Sequence, residues 1–217
     1  MKRLSSPCSV PALPPHGRGQ RIGILGGTFN PAHAAHRLIS LIALRRLHLD
    51  AIWWLVTPGN PLKDTSSLPT TVERVAMARK IANHPRIHVT GVEEAMGTRF
   101  TFDSLSLLKS RASDVRFVWL MGADNLENFH RWTRWRDIAK LMPIAVIDRP
   151  GATHRAARSY AARALEFARL PEHRCSSLPN KGLPAFVILH DRRSPLSSSA
   201  LRERHIFADK EDYIENH

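Results

Sequence analysis

The sequence predicts an α/β fold, a mostly parallel sheet with helices on both faces. Two observations carry this expectation: short apolar runs alternate with helical stretches, and glycine- and proline-rich turns fall where the runs end. Arg21 to Leu25 is an apolar run stopped by Gly26 and Gly27, so it reads as a buried strand. From His33 to about Leu49 the spacing turns helical, with Leu38, Ile39 and Ile42 on one face. Ala51 to Val56 is a second strand, closed by Thr57-Pro58-Gly59-Asn60-Pro61. A helix over 70–83 opens on Thr70 or Thr71 as cap, with Glu73 in its first turn. Ile87 to Thr90 reads as a strand, 104–111 as a helix and 115–121 as the best-defined strand. Residues 125–141 are helical in one or two pieces, 144–148 form a strand, and about 154–170 an alanine- and arginine-rich helix. Ala185 to His190 is the last strand, and 198–204 a short terminal helix. No internal repeat is visible.

Composition bounds the function. The 217 residues, 43% hydrophobic and 24% charged, suit one domain over 21–217 behind a flexible leader over 1–20. Cys8 and Cys175 lie far apart and neither belongs to a Cys-x-x-Cys pair, which argues against a disulfide framework or a cysteine zinc site. No apolar run is long enough to cross a bilayer, and Lys2 and Arg3 are not followed by the apolar stretch of a signal peptide. A cytoplasmic protein is expected. The net charge of +13 and a pI near 10.9 call for polyanionic company, either nucleotides or nucleic acid. Arg45, Arg46, Arg155, Arg158 and Arg163 are spread through helices, where solvated faces are their usual use. They form no basic stripe with interleaved aromatics, which counts against a nucleic-acid partner.

In open α/β sheets, ligands bind at the carboxyl ends of the strands, where the connections change direction. Gly26, Pro58 and Gly122 all fall at such ends. The densest signal is Gly26-Gly27-Thr28-Phe29-Asn30-Pro31-Ala32-His33-Ala34-Ala35-His36. Two glycines after a strand permit a sharp turn and close backbone approach to a ligand. The helix start behind them offers N–H groups and partial positive charge to a phosphate. His33 and His36 are three apart and share a face, so both suit phosphate oxygens and charge developing in a transfer. The plainer alternative is an ordinary strand-to-helix turn with two polar surface histidines. A zinc site is weaker, because no third ligand lies nearby in sequence.

Other candidates also have two readings. Asp124, just past a strand end, suits a ribose or caps a helix. Ser197, Ser198 and Ser199 open a helix where hydroxyls and N–H groups can hold phosphates, and Arg202 adds a forked cation one turn on. Asp103 is a candidate cap for the helix from Ser104. Lys63 is otherwise a solvated loop lysine, and Trp132 core packing.

The Gly26–His36 segment resembles the Gly-Gly-Thr-Phe-Asp-Pro-x-His-x-Gly-His signature of the bacterial nicotinate-nucleotide adenylyltransferases, in the nucleotidyltransferase superfamily. Asn30 stands in the Asp place and Ala35 in the Gly place. Pro58 to Lys63 is similar to the family's proline-rich loop ending in a basic residue. Arg99 to Leu105 resembles its Tyr-Thr-x-Asp-Thr-Leu segment, with Phe100 in the Tyr place. Gly122-Ala123-Asp124-Asn125-Leu126, with Phe129 and Trp132, resembles its Gly-Ala-Asp-x-Leu…Phe…Trp block. Pro195 to Arg202 is similar to its Ile-Ser-Ser-Thr-x-Ile-Arg.

The resemblance implies a Rossmann-like fold and adenylyl transfer from ATP to nicotinate mononucleotide. It implies charge stabilisation by His33, His36, Lys63 and Arg202. It assigns ATP to Gly26, Gly27, Thr28, Phe29, both histidines, Gly122, Asp124, Ser197, Ser198, Ser199 and Arg202, and the acceptor to Asn30, Lys63, Phe100, Thr101, Asp103 and Trp132. Mg²⁺ would bridge the triphosphate, held mainly by phosphate oxygens and water. Small-molecule substrates are then the partners, without nucleic acid or membrane; a homo-oligomer stays open. The nearest alternative is another adenylyl- or cytidylyltransferase of the superfamily, against which Trp132 and Phe100-Thr101 count.

Overall fold

The computed structural model describes residues 12–59, 68–98, 100–148 and 153–191. Its strands are β1 (Arg21–Gly27), β2 (Ala51–Val56), β3 (Ile87–Thr90), β4 (Arg116–Gly122), β5 (Ile144–Ile147) and β6 (Phe186–Leu189). Between them run α1 (Ala34–Arg46), α2 (Thr71–Ala82), α3 (Val92–Met96), α4 (Thr101–Arg111), α5 (Ala123–Asn128), α6 (Trp135–Leu141), α7 (Thr153–Ala157) and α8 (Tyr160–Ala164). Every strand pair is parallel, and the order is β3-β2-β1-β4-β5-β6. The chain thus builds outward from β1 to one side, then returns to build β4 to β6 on the other. The crevice between β1 and β4 is the switch point where such sheets bind ligands.

Register brings the strand ends level. Gly27 pairs with Val56, Leu55 with Thr90, Leu25 with Leu120, Gly122 with Ile147, and Ile147 with Leu189. Apolar side chains cover both faces. Ile22, Ile24, Trp53 and Trp119 pack with Leu105 and Leu108 of α4, Leu126 of α5 and Ile138 of α6. Leu25, Ile52, Trp54 and Leu120 pack with Ile39 and Ala43 of α1, Val75 and Ala78 of α2, and Leu178 of the 3-10 segment Glu172–Asn180.

The expected elements appear with shifted ends. The stretch expected as one helix over 154–170 is broken into α7, α8 and the 3-10 turn Glu166–Ala168. The cause is Ser159, a buried residue whose hydroxyl accepts from the Ala162 N–H and starts a new helix. Within the stretch expected as leader, Leu13 packs on the core and the His16 ring meets Trp53 edge-on at 5.6 Å. The Gly19 N–H also donates to Asp114 O.

Gly26 has a different reason from the one expected. A Cβ there would lie 2.5 Å from Cη2 of Trp119, so the glycine makes room for the indole and not only for a ligand. At Gly27 the nearest atom to such a Cβ, on the Phe29 ring, is 3.5 Å away, an ordinary contact. Gly26→Ala should therefore cost about 1–3 kcal/mol of stability by overpacking. Gly27→Ala should change stability by less than about 1 kcal/mol. Urea unfolding checks the pair, and equal losses would show that Trp119 yields freely.

Candidate active site

The turn after β1 is held from below by an arginine. Arg74 of α2 is 1% exposed, and its five N–H groups all find oxygen acceptors. Nε donates to Pro69 O, Nη1 to Thr28 O at 2.8 Å and Thr57 O at 2.7 Å, and Nη2 to Pro58 O and Thr71 Oγ1. Burial lowers its pKa, with the Glu94 carboxylate acting the other way. α2 is itself anchored by the expected capping box, Thr70 with Glu73.

Above Arg74 the chain turns sharply. Phe29 takes a φ of 47°, a strained region for a bulky residue, and its ring stacks on Trp54 at 5.0 Å. That ring is 1% exposed, so any contact of Phe29 with a nucleotide runs through its backbone. Asn30 is half-buried beyond it. His33 then stands at the N-cap of α1, and the rings of His33 and His36 lie 3.9 Å apart. His33 is 4% exposed with the His36 ring against it, so the plainer alternative of two surface histidines does not hold for His33. The His33 N–H donates to Nδ1 of His36 at 3.2 Å. An accepting Nδ1 leaves the ring hydrogen of a neutral His36 on Nε2. Ala35, in the place of the family glycine, is 2% exposed.

Across the crevice, Gly122 ends β4 and is the N-cap of α5, the role that Asp124 was a candidate for. Asp124 lies one residue into the helix and is exposed. Trp132 is half-buried, its ring edge-on to Trp119 at 6.3 Å and to Phe129 at 5.5 Å. α4 starts at Thr101 and not at Ser104, so Asp103 is an exposed first-turn residue and Phe100 the N-cap. The earlier start gives Thr101 and Phe102 the helix's first N–H groups, which have no intrahelical partner. The Arg134 guanidinium lies 3.6 Å over the Phe102 ring, joining the Trp132 segment to this helix start.

No group of three or more His, Cys, Asp and Glu side chains suited to a metal occurs among the described residues. Lys63, Ser197, Ser198, Ser199 and Arg202 lie outside the described residues. Cys175 is a buried free thiol.

A cytidylyltransferase-like family model matches residues 24–204. A probable nicotinate-nucleotide adenylyltransferase of Bradyrhizobium is 54% identical over 84% of this chain and 95% of its own length. Another, from Methylorubrum extorquens, is 55% identical over 85% of this chain and its whole length. The chain belongs to the nicotinate-nucleotide adenylyltransferase family. The solved Plasmodium falciparum nicotinic acid mononucleotide adenylyltransferase, complexed with NaAD, has a TM-score of 0.62 at 18% identity. It covers 85% of this chain and 83% of its own, and shares the fold.

Two residues of this family member were not singled out from sequence. Arg74 looked like one of many helix arginines, and only its place beside Val75 and four residues before Ala78 signalled burial. Glu93 of α3 is 6% exposed, beside the start of α4. Burial lifts its carboxyl to about 7, with the Ser104 hydroxyl opposing the shift. A carboxyl raised above its ordinary 4.5 stays protonated in the folded chain after the unfolded chain has ionised. Stability from this group therefore falls as pH rises from 4.5 to about 7, and is level above. Glu93→Gln should remove that slope, so the wild type should lose on the order of 3 kcal/mol relative to the variant across the window. Urea unfolding at both ends of the window reads this, and parallel profiles would contradict it.

Proposed function

We propose that this chain transfers the adenylyl group of ATP to nicotinate mononucleotide, giving nicotinate adenine dinucleotide and pyrophosphate, a step in making NAD. The observation that carries it is the close His33–His36 ring pair at the start of α1, behind the turn that follows β1 at the sheet's switch point. The relatives named for this activity are more than half identical to the chain.

The acceptor's phosphate has a second pKa of about 6, so near neutral pH its ionised oxygen is already the nucleophile. That oxygen attacks the α-phosphorus of ATP. A new P–O bond forms, the bond to the β-phosphate oxygen breaks, and pyrophosphate leaves with its electron pair. Neither a general base nor a covalent enzyme intermediate is needed. Catalysis is in-line positioning plus stabilisation of the growing negative charge.

His36 donates to that charge through Nε2–H, with His33 holding its ring, and Lys63 and Arg202 add cations. The backbone of Gly26, Gly27, Thr28 and Phe29 and the end of β4 at Gly122 border the nucleotide. Asp124 accepts from a ribose, and Ser197, Ser198 and Ser199 hold phosphates. Mg²⁺ arrives on the triphosphate, as part of the substrate. On the acceptor side, the first N–H groups of α4, at Thr101 and Phe102, suit a carboxylate. Trp132 offers a ring face to the pyridine, with Asn30, Phe100 and Asp103 around it. The chain works in the cytoplasm on small molecules, as a single domain to which Leu13, His16 and Gly19 also belong.

Incubation with ATP, Mg²⁺ and a panel of mononucleotides, following pyrophosphate, tests this. Nicotinate mononucleotide should exceed the nicotinamide form by on the order of ten-thousandfold in kcat/KM, because a carboxamide leaves a buried donor unpaired. Equal efficiency would refute the acceptor assignment. His36→Ala should lower kcat by about a hundred- to a thousandfold with the circular dichroism spectrum intact. His33→Ala should lower both kcat and stability, since His33 is buried. Near-normal turnover in both would remove the pair from the mechanism.

A further inference from the structure

Taking the adenylyl transfer above as its basis, we infer that Arg74 is a positioning residue for the reaction. Its guanidinium fixes the turns after β1 and β2 against each other, and so aims their backbone amides at the phosphates. Three of its five acceptors are carbonyls of Thr28, Thr57 and Pro58, from turns that follow two different strands. The remaining two, Pro69 O and Thr71 Oγ1, belong to the start of its own helix.

Peptide geometry turns this clamp into a directing device. In a trans peptide the C=O and the following N–H point in opposite directions. The Thr28–Phe29 and Pro58–Gly59 bonds are trans. Drawing the Thr28 and Pro58 carbonyls onto Arg74 therefore turns the N–H groups of Phe29 and Gly59 away from the guanidinium. Neither N–H meets an acceptor among the described residues. The turns also touch each other, the Thr57 N–H donating to Gly27 O at 3.0 Å. One side chain thus sets the direction of donors on both sides of the β1–β2 boundary.

The charge is placed to the same end. All five acceptors of Arg74 are uncharged oxygens, so the guanidinium retains its positive charge beneath the turns. A buried ion adds little to folding compared with a well-packed apolar side chain. Beside a bound polyphosphate the same charge stabilises the anion through low-dielectric surroundings. Arg74 touches neither the nucleotide nor the reacting atoms; it acts through the peptide units it holds.

Arg74→Lys and Thr71→Val test this together. Lysine keeps the charge but cannot span both turns with a planar fork. Thr71→Val keeps shape and removes one acceptor. In Arg74→Lys, kcat should fall on the order of a hundredfold, as expected for small misplacement of reacting groups, with KM for both substrates changed by less than about fivefold. In Thr71→Val, kcat should fall by about three- to tenfold, with KM unchanged. Each is measured at a temperature where circular dichroism shows the variant fully folded. A folded Arg74→Lys with kcat within about threefold of wild type overturns the inference. If that variant does not fold, unchanged kcat in Thr71→Val overturns it. The wild type's acceptor profile separately decides the functional assignment, since the variant ratios are taken on whichever mononucleotide the wild type uses.

Discussion

All five N–H groups of Arg74 are tied to oxygens from the start of α2 and from the turns behind β1 and β2. Leaving any of those donors buried without an acceptor would cost about 1–3 kcal/mol or more, since the group is charged. The two turns are thus held in one arrangement by the side chain between them. The strained φ of Phe29, the seating of its ring on Trp54, and the delivery of the chain to His33 all follow from that anchored turn. The Thr70–Glu73 capping box matters because it fixes where α2 begins, and so where Arg74 points.

The sheet supplies the rest of the geometry. Level strand ends put the Gly-Gly turn, the Pro58 turn, Gly122 and α5 along one edge, and the change of direction between β1 and β4 opens a crevice there. One wall is rich in backbone donors, with the buried Arg74 guanidinium beneath them. The other carries Trp132 and the start of α4, joined by the Arg134–Phe102 contact. A reaction between two phosphates needs this division: donors and cations where charge grows, and an aromatic face with a few N–H groups where a flat heterocycle is chosen.

Much of this was legible in the sequence. The strands over 51–56 and 87–90 have the expected limits, because continuous apolar runs ended by turn residues have few alternative readings. The cap of α2 was legible for the same local reason. Helix starts without a side-chain cap were not: Phe100 and Gly122 are the N-caps of α4 and α5 and offer no side-chain acceptor, so Asp103 and Asp124 drew the expectation instead. Ser159 misled in the opposite sense, since a lone serine in an alanine-rich stretch gives no sign that it will be buried and start a new helix. The histidine pair was found by spacing, but the burial of His33 against the His36 ring is something that spacing does not encode. Arg74 was missed because four of its five partners are carbonyls, and backbone acceptors leave no trace in a residue pattern.

The central claim is that two turns held by Arg74 present backbone donors to phosphates at the carboxyl edge of the sheet. Amide chemical-shift changes on titrating the isotope-labelled protein with Mg²⁺ and a non-hydrolysable ATP analogue test it most directly. The account predicts the largest changes at Gly27, Thr28, Phe29 and Gly59, with Gly19, Ala51 and Arg116 at the opposite edge nearly unmoved. Saturating analogue that shifts the opposite edge, and leaves the Phe29 and Gly59 amides in place, would contradict it.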